Sequence, residues 1–64
     1  MEAIVIKKKS IRYGFKQGET YPIFRTIRGD YVVIKGDASG NPILSERKLR
    51  MYGIITGAPE LGGI

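Results

Sequence analysis

The sequence predicts a small all-β protein, and three observations lead to that prediction. The chain has 64 residues, and its nine Gly and three Pro are spread between short apolar runs. The longest runs, at residues 3–6 and 31–34, are four residues long and rich in β-branched side chains, which favour strands. Helical periodicity is nearly absent. A chain of this length forms one domain with a thin core, because it buries only ~60% of the surface of its unfolded state.

The first strand is predicted at residues 2–8, where consecutive β-branched side chains favour a pleated surface. The three lysines that follow Ile6 end this strand. The next segment, residues 9–19, contains aromatic residues without a regular period. We interpret it as a long, partly packed loop that Tyr13 and Phe15 hold against the core.

Strands two and three are predicted at residues 20–28 and 31–35, joined by a tight turn at residues 29–30 whose leading Gly suits a type II′ hairpin. This register places four β-branched residues on one face, which we expect to be the core: Ile23, Ile27, Val32 and Ile34. A three-residue loop is the alternative, and it buries Tyr31 and Val33 instead, because a slip of one residue inverts every side chain. We prefer the first register because it collects more β-branched residues on one side.

The remaining chain predicts two short strands around a single helical turn. Residues 36–42 favour a turn in almost every position, and residues 43–44 begin a fourth strand. Ser45 is predicted to cap a short 3₁₀ turn over residues 46–49, which is too short to be stable alone. A fifth strand follows at residues 52–56.

The last eight residues, 57–64, hold three Gly and one Pro without a regular pattern. They are predicted to form a flexible tail. The predicted organisation is therefore one folded domain at residues 1–56 followed by this tail.

Five short strands, a long loop after the first, a central hairpin and a 3₁₀ turn before the last strand describe a small SH3-like barrel. The residue types in four segments carry a closer resemblance: residues 15–21, residues 29–34, Asp37 with Gly40, and residues 48–50. They resemble the compact SH3-like proteins common in bacteriophage and prophage genomes, in which an apolar residue, a Gly and a Tyr open the second strand. The resemblance covers residues 1–56 and implies a small accessory binding protein with no catalytic residues to carry across.

Composition excludes several kinds of chemistry. The chain has no Cys and no His, so it has no disulfide framework, no thiolate and neither the commonest general base nor the commonest metal ligand. Asp30 and Asp37 lie in predicted turns, where Asp serves backbone hydrogen bonding, and the Glu residues show no paired spacing. We therefore expect a binding protein that is not an enzyme and carries no cofactor.

The chain carries a formal net charge of +5, which attracts nucleic acid, acidic protein surfaces or anionic lipid. In the preferred register, the outer face of the hairpin combines aromatic and basic side chains: Phe24, Arg28, Tyr31 and Lys35. Such a face stacks bases on its aromatic rings while its cations meet phosphates. Two further basic clusters are candidates for the same surface: Lys7, Lys9 and Arg12 in the first, and Arg47 and Arg50 in the second. Each group has an alternative interpretation. The hairpin face is then a solvated sheet face, the first cluster a lysine-protected strand end, and the second cluster a solvated connector.

These features suggest a binding module for nucleic acid or for a nucleic-acid-handling complex. The alternative is a phage-type inhibitor that docks on an acidic surface of a host enzyme or defence protein, with Phe24, Arg28 and Tyr31 as anchors. A third possibility is self-association through strand one or the tail, so we expect a monomer or a weak homodimer. The short apolar runs and the acidic and apolar residues ahead of the lysine run predict a cytoplasmic protein without membrane association.

Overall fold

The computed structural model describes residues 1–57 and shows a mostly β domain, with five antiparallel strands in one open sheet and one short helix. The elements in chain order are β1 (Glu2–Ile6), β2 (Thr20–Arg25), β3 (Tyr31–Val33), β4 (Ile43–Leu44), α1 (Glu46–Arg50) and β5 (Gly53–Thr56). All five predicted strands are present. The predicted tail at residues 57–64 lies outside the described residues except for Gly57.

The strands lie in the order β4-β3-β2-β1-β5, so β1 is an interior strand with a neighbour on each side. Ile4 lies opposite Tyr21 of β2 and opposite Ile55 of β5. The lysine run after β1 therefore ends an interior strand. The interpretation that it protects a sheet edge is wrong, and β1 has no free edge for self-association.

The register of the central hairpin differs from the preferred prediction. Arg25 lies opposite Tyr31, so the loop comprises the five residues 26–30. The Thr26 N–H donates to the Asp30 carbonyl over 2.8 Å, and the Thr26 hydroxyl accepts from the Asp30 N–H over 3.1 Å. The hydrogen bond of the Thr26 hydroxyl supports this five-residue loop. Compared with the predicted two-residue turn, the longer loop reverses which residues of β3 face the core.

The inversion changes the core. Its eight buried apolar residues are Ile4, Ile6, Phe15, Ile23, Tyr31, Val33, Leu44 and Leu49. Of the predicted core face, only Ile23 is buried; Ile27 is fully exposed, and Val32 and Ile34 are half-buried. Burial of Tyr31 and Val33 is the arrangement that the alternative register predicted. The prediction that Phe15 holds the long loop against the core is confirmed.

The charged side chain of Glu2 is buried beside Tyr31. The Tyr31 hydroxyl donates to the Glu2 carboxylate, which also accepts from Arg25 Nε, each over 3.3 Å. The Arg25 guanidinium lies 4.9 Å from the centre of the Tyr31 ring. Burial, together with the neighbouring Glu2 charge, raises the pKa of Tyr31 above its ordinary value. Tyr31 is therefore held in its neutral form as a core residue.

The helical turn is an α-helix rather than the predicted 3₁₀ turn. The Leu49 N–H donates to the Ser45 carbonyl over 2.9 Å, which is the α-helical spacing. The predicted cap at Ser45 is confirmed, because its hydroxyl accepts from the Lys48 N–H over 3.1 Å. An ion pair of 3.0 Å joins Glu46 and Arg50 across one turn. Leu49 is the buried residue that fastens α1 to the sheet.

Gly53 allows β5 to approach β1 closely. A Cβ atom at this position would lie 2.2 Å from the Val5 carbonyl oxygen, which belongs to the backbone and has little freedom to move. We expect Gly53→Ala to lower the free energy of unfolding by about 1–3 kcal/mol, the usual cost of overpacking. Urea denaturation followed by circular dichroism measures the change. Thr56→Ala, at an exposed position of the same strand, is the control, and equal stability of the two variants would contradict the close approach.

Candidate functional site

The predicted hairpin surface is not assembled in the structure. Phe24 and Arg28 are exposed, but Tyr31 is fully buried and the Lys35 side chain is only 1% exposed. Phe24 points away from the core beside Val32, while Arg28 lies in the loop beyond the end of β2. The expectation that these four residues form one aromatic and basic face is therefore wrong, because it depended on the two-residue turn.

Lys35 makes contacts within the protein instead of lying on an exposed face. Its ammonium donates to the Ser39 hydroxyl and lies 3.8 Å from the Asp37 carboxylate. It also lies against Gly14, where a Cβ atom would come within 2.2 Å of Nζ. Hydrogen bonds from the Ser39 side chain and backbone lower the pKa of Asp37 below its ordinary value. Lys35 thus joins the loop before β4 to the loop after β1.

The β1–β2 loop, residues 7–19, holds the densest group of exposed cations. An isolated bridge closes its centre, with Ser10 and Phe15 exchanging both backbone hydrogen bonds over 3.0 and 2.8 Å. The Ser10 hydroxyl also accepts from the Tyr13 N–H over 3.2 Å. This ordered loop leaves five cations exposed: Lys7, Lys8, Lys9, Arg12 and Lys16. We call these five residues together with Tyr13 the basic loop surface.

Aromatic rings lie directly beside these cations. The Arg12 guanidinium is 5.6 Å from the centre of the Tyr13 ring, a cation–π distance. Tyr13 packs on Phe15 and on Tyr52, with ring centres 5.6 and 5.7 Å apart. Tyr13 and Tyr52 are both half-buried. The combination of aromatic and basic groups that was predicted for the hairpin thus occurs at the β1–β2 loop.

A groove of about 360 Å³ opens within the same loop. Its lining residues are Lys9, Ser10, Ile11, Gly14, Phe15, Lys16 and Gln17. Apolar surface dominates the lining, and Lys9 and Lys16 contribute the charged groups. The groove is therefore suited to an apolar group.

The second predicted basic cluster lies on α1. The carbonyl of Tyr52, two residues beyond α1, accepts from the N–H groups of Lys7 and Lys8 over 2.8 and 3.0 Å. The lysine run therefore lies against the chain that leaves the helix. Arg47 is exposed, whereas Arg50 forms an ion pair with Glu46. Of this cluster, Arg47 is thus the better candidate for contact with a ligand.

Sequence reasoning identified Lys7, Lys9 and Arg12 but missed Tyr13 and Tyr52. The adjacency of Arg12 and Tyr13 in sequence was a usable signal for the first. The contribution of Tyr52 depends on the pairing of β1 with β5, which no local pattern reveals.

Comparisons of the chain with protein-family models, with curated proteins and with solved structures find no match. Within residues 1–57, no group of three or more acidic side chains is placed to hold a metal ion. The same part of the chain contains no helix with the length and apolar character needed to cross a membrane.

Proposed function

We propose that this protein is a small, non-catalytic, SH3-like binding module that binds nucleic acid, or a nucleic-acid-handling complex, through the basic loop surface. The architecture supports the SH3-like assignment, since an interior first strand, a long loop after it and a helical turn before the last strand accompany five short strands. The phage-type accessory role rests on the resemblance of the segments at residues 15–21 and 29–34.

The observation that carries this proposal is the contact of Arg12 with Tyr13 among exposed lysines and beside an apolar groove. Cations that surround an aromatic platform bind a flexible anionic strand, because they meet its phosphates while a base stacks on the ring. Base stacking contributes ~1–3 kcal/mol per base. Single-stranded nucleic acid is the favoured ligand, since its bases are free to enter the groove.

A fluorescence anisotropy titration tests the proposal with single-stranded DNA, single-stranded RNA and duplex DNA at two salt concentrations. We expect Lys9→Ala/Arg12→Ala to weaken single-strand binding about tenfold and to reduce the salt slope by ~1.4, or ~0.7 for each phosphate that is no longer neutralised. The matched control is Arg28→Ala/Arg50→Ala, which removes the same charge outside the loop, and we expect it to change affinity by less than about threefold because Arg50 is paired with Glu46. Absence of binding at low salt, or equal losses of affinity in the two variants, contradicts the proposal.

A second candidate function is that of a protein inhibitor that docks on an acidic surface. Ile11 favours it, because this side chain is 92% exposed beside Arg12, and a protein partner gains more than a nucleic acid from covering it. Affinity purification with and without nuclease separates the two functions. A stoichiometric protein that is retained after nuclease treatment and lost with Ile11→Asp supports the inhibitor.

A further inference from the structure

The turn that presents the cation–π pair of the basic loop surface is closed at Gly14. The Gly14 N–H donates to the Ile11 carbonyl over 3.3 Å, so Arg12 and Tyr13 are the two central residues of a β-turn. Gly14 has a φ of +71°, in the left-handed region that favours glycine. The place of Gly14 therefore decides where the side chains of Arg12 and Tyr13 lie.

The loop between β3 and β4, residues 34–42, makes a contact with this turn. The atoms nearest to the position that a Cβ atom of Gly14 would occupy are Nζ and Cε of Lys35 and Oγ of Ser39. The Lys35 side chain is only 1% exposed, so its ammonium fills this space and does not face solvent. The ammonium and the absence of a side chain at Gly14 thus belong to one close contact between two loops.

The Lys35 residue is held at both ends. The Ile34 N–H donates to a carbonyl of β2 over 2.9 Å, which extends the pairing of β2 with β3. The Lys35 N–H donates to Asn41 Oδ1 over 3.1 Å. At the far end of the side chain, the ammonium donates to the Ser39 hydroxyl and lies 3.8 Å from the Asp37 carboxylate. Lys35 therefore gives the turn a support that is itself fixed to the sheet.

Burial separates Lys35 from the exposed cations that are available to phosphates. Pairing a buried ammonium offsets the cost of its desolvation, but it leaves little net gain in stability over an apolar side chain of similar volume. The Asp37 carboxylate is 55% exposed and accepts hydrogen bonds from the Ser39 backbone and hydroxyl, so it does not depend on the ammonium. The geometry of the two loops accounts for the buried charge better than a gain in stability does.

We propose that Lys35 is a positioning residue for the basic loop surface. Its ammonium, which Ser39 holds, supports Gly14. That support fixes the turn that presents Arg12 and Tyr13 to a single-stranded nucleic acid. The inference rests on the proposed function and adds to it a residue from outside the β1–β2 loop. A turn that is already ordered loses less conformational entropy on binding, so its support raises affinity without a contact to the ligand.

Fluorescence anisotropy with a single-stranded oligonucleotide tests this role in two variants. Lys35→Met removes the ammonium and keeps the aliphatic stem, and Ser39→Ala removes the hydroxyl without changing the net charge. We expect each variant to weaken binding about tenfold, an effect of the size of one base stack. The salt slope stays unchanged, because no phosphate contact is lost, whereas Lys9→Ala reduces it by ~0.7.

Two further variants are the matched controls. Lys48→Met removes a lysine from α1, outside both loops, and we expect it to change affinity by less than about threefold. Ser39→Thr keeps the hydroxyl and is therefore expected to retain the affinity that Ser39→Ala loses. Circular dichroism checks that every variant is folded.

Hydrogen exchange of the free protein supplies a readout that needs no ligand. The Phe15 N–H, directly after the turn, donates to the Ser10 carbonyl over 2.8 Å. We expect Lys35→Met to speed exchange of this amide about tenfold while the amides of β1 exchange as in the wild type, because local opening leaves the sheet intact. A role in global stability alone would speed both. In a double-mutant cycle with Tyr13→Ala, the losses of affinity do not add, since Lys35 acts through the turn that carries Tyr13.

The possible failures are distinguishable. If the wild-type chain binds and Lys35→Met binds equally well, the inference is overturned and the proposed function stands. A reduced salt slope in Lys35→Met also overturns it, because Lys35 would then meet a phosphate itself. Exchange that is faster throughout β1 does the same by assigning Lys35 to stability alone. A wild-type chain that binds no nucleic acid overturns the proposed function and the binding role of Lys35 together, while exchange at Phe15 still reports whether Lys35 fixes the turn.

Discussion

Tyr31→Ala is expected to unfold most of the protein at 25 °C. The residue is fully buried, and truncation of a core aromatic side chain costs about 3–5 kcal/mol, which approaches the whole stability of a small domain. The variant also leaves Glu2 without the hydroxyl that donates to its carboxylate. Far-UV circular dichroism and urea denaturation measure the loss, and Tyr31→Phe isolates the hydroxyl at a cost of about 1–3 kcal/mol.

The matched control for Tyr31→Ala is Ile27→Ala. Ile27 is fully exposed in the hairpin loop, so its truncation changes the free energy of unfolding by less than about 0.5 kcal/mol. The two-residue turn predicts the opposite order, with Ile27 in the core and Tyr31 in solvent. A larger loss of stability at Ile27 than at Tyr31 would therefore refute the observed register.

Leu49→Ala is expected to cost about 2–5 kcal/mol, the usual range for a buried Leu truncated to Ala. Leu49 is the buried residue of α1, and a five-residue helix is too short to persist without tertiary packing. The variant therefore releases α1 and weakens the approach of β5 to β1. Thermal denaturation and amide hydrogen exchange of β5 report the two effects.

Met51→Ala is the control for Leu49→Ala. Met51 follows the helix and is exposed, so its truncation changes stability by less than about 0.5 kcal/mol. Comparable destabilisation in the two variants would show that the helix is not fastened through Leu49.

The strands were predictable from sequence, but the hairpin register was not. Runs of β-branched residues between Gly and Pro define each strand locally. The register depends on a single competition between a two-residue turn with Gly29 and the wider loop that the Thr26 hydroxyl supports. Burial of Tyr31 beside Glu2 and Arg25 accompanies the wider loop, and the hydrogen bond with Glu2 joins residues that are far apart in sequence.

The candidate site was predictable only in part for the same reason. The exposure of Lys7, Lys9 and Arg12 follows from their charge, because a charged side chain is rarely buried without a partner. The Lys35 side chain is buried with such partners, since its ammonium donates to the Ser39 hydroxyl and lies near the Asp37 carboxylate. Ser39 and Asp37 lie within four residues of Lys35, but the contact of its ammonium with Gly14 forms only in the folded chain.

The interior position of β1 has a consequence for the order of folding. The first strand completes its hydrogen bonding only when β5, the last of the five strands, pairs with it through contacts such as Ala3 with Thr56. Contacts between strands so distant along the chain slow folding, because the chain gives up the entropy of the intervening loop before the contacts form. We therefore expect β5 to dock late in folding, and until it docks the strand that ends in the lysine run is exposed along one edge.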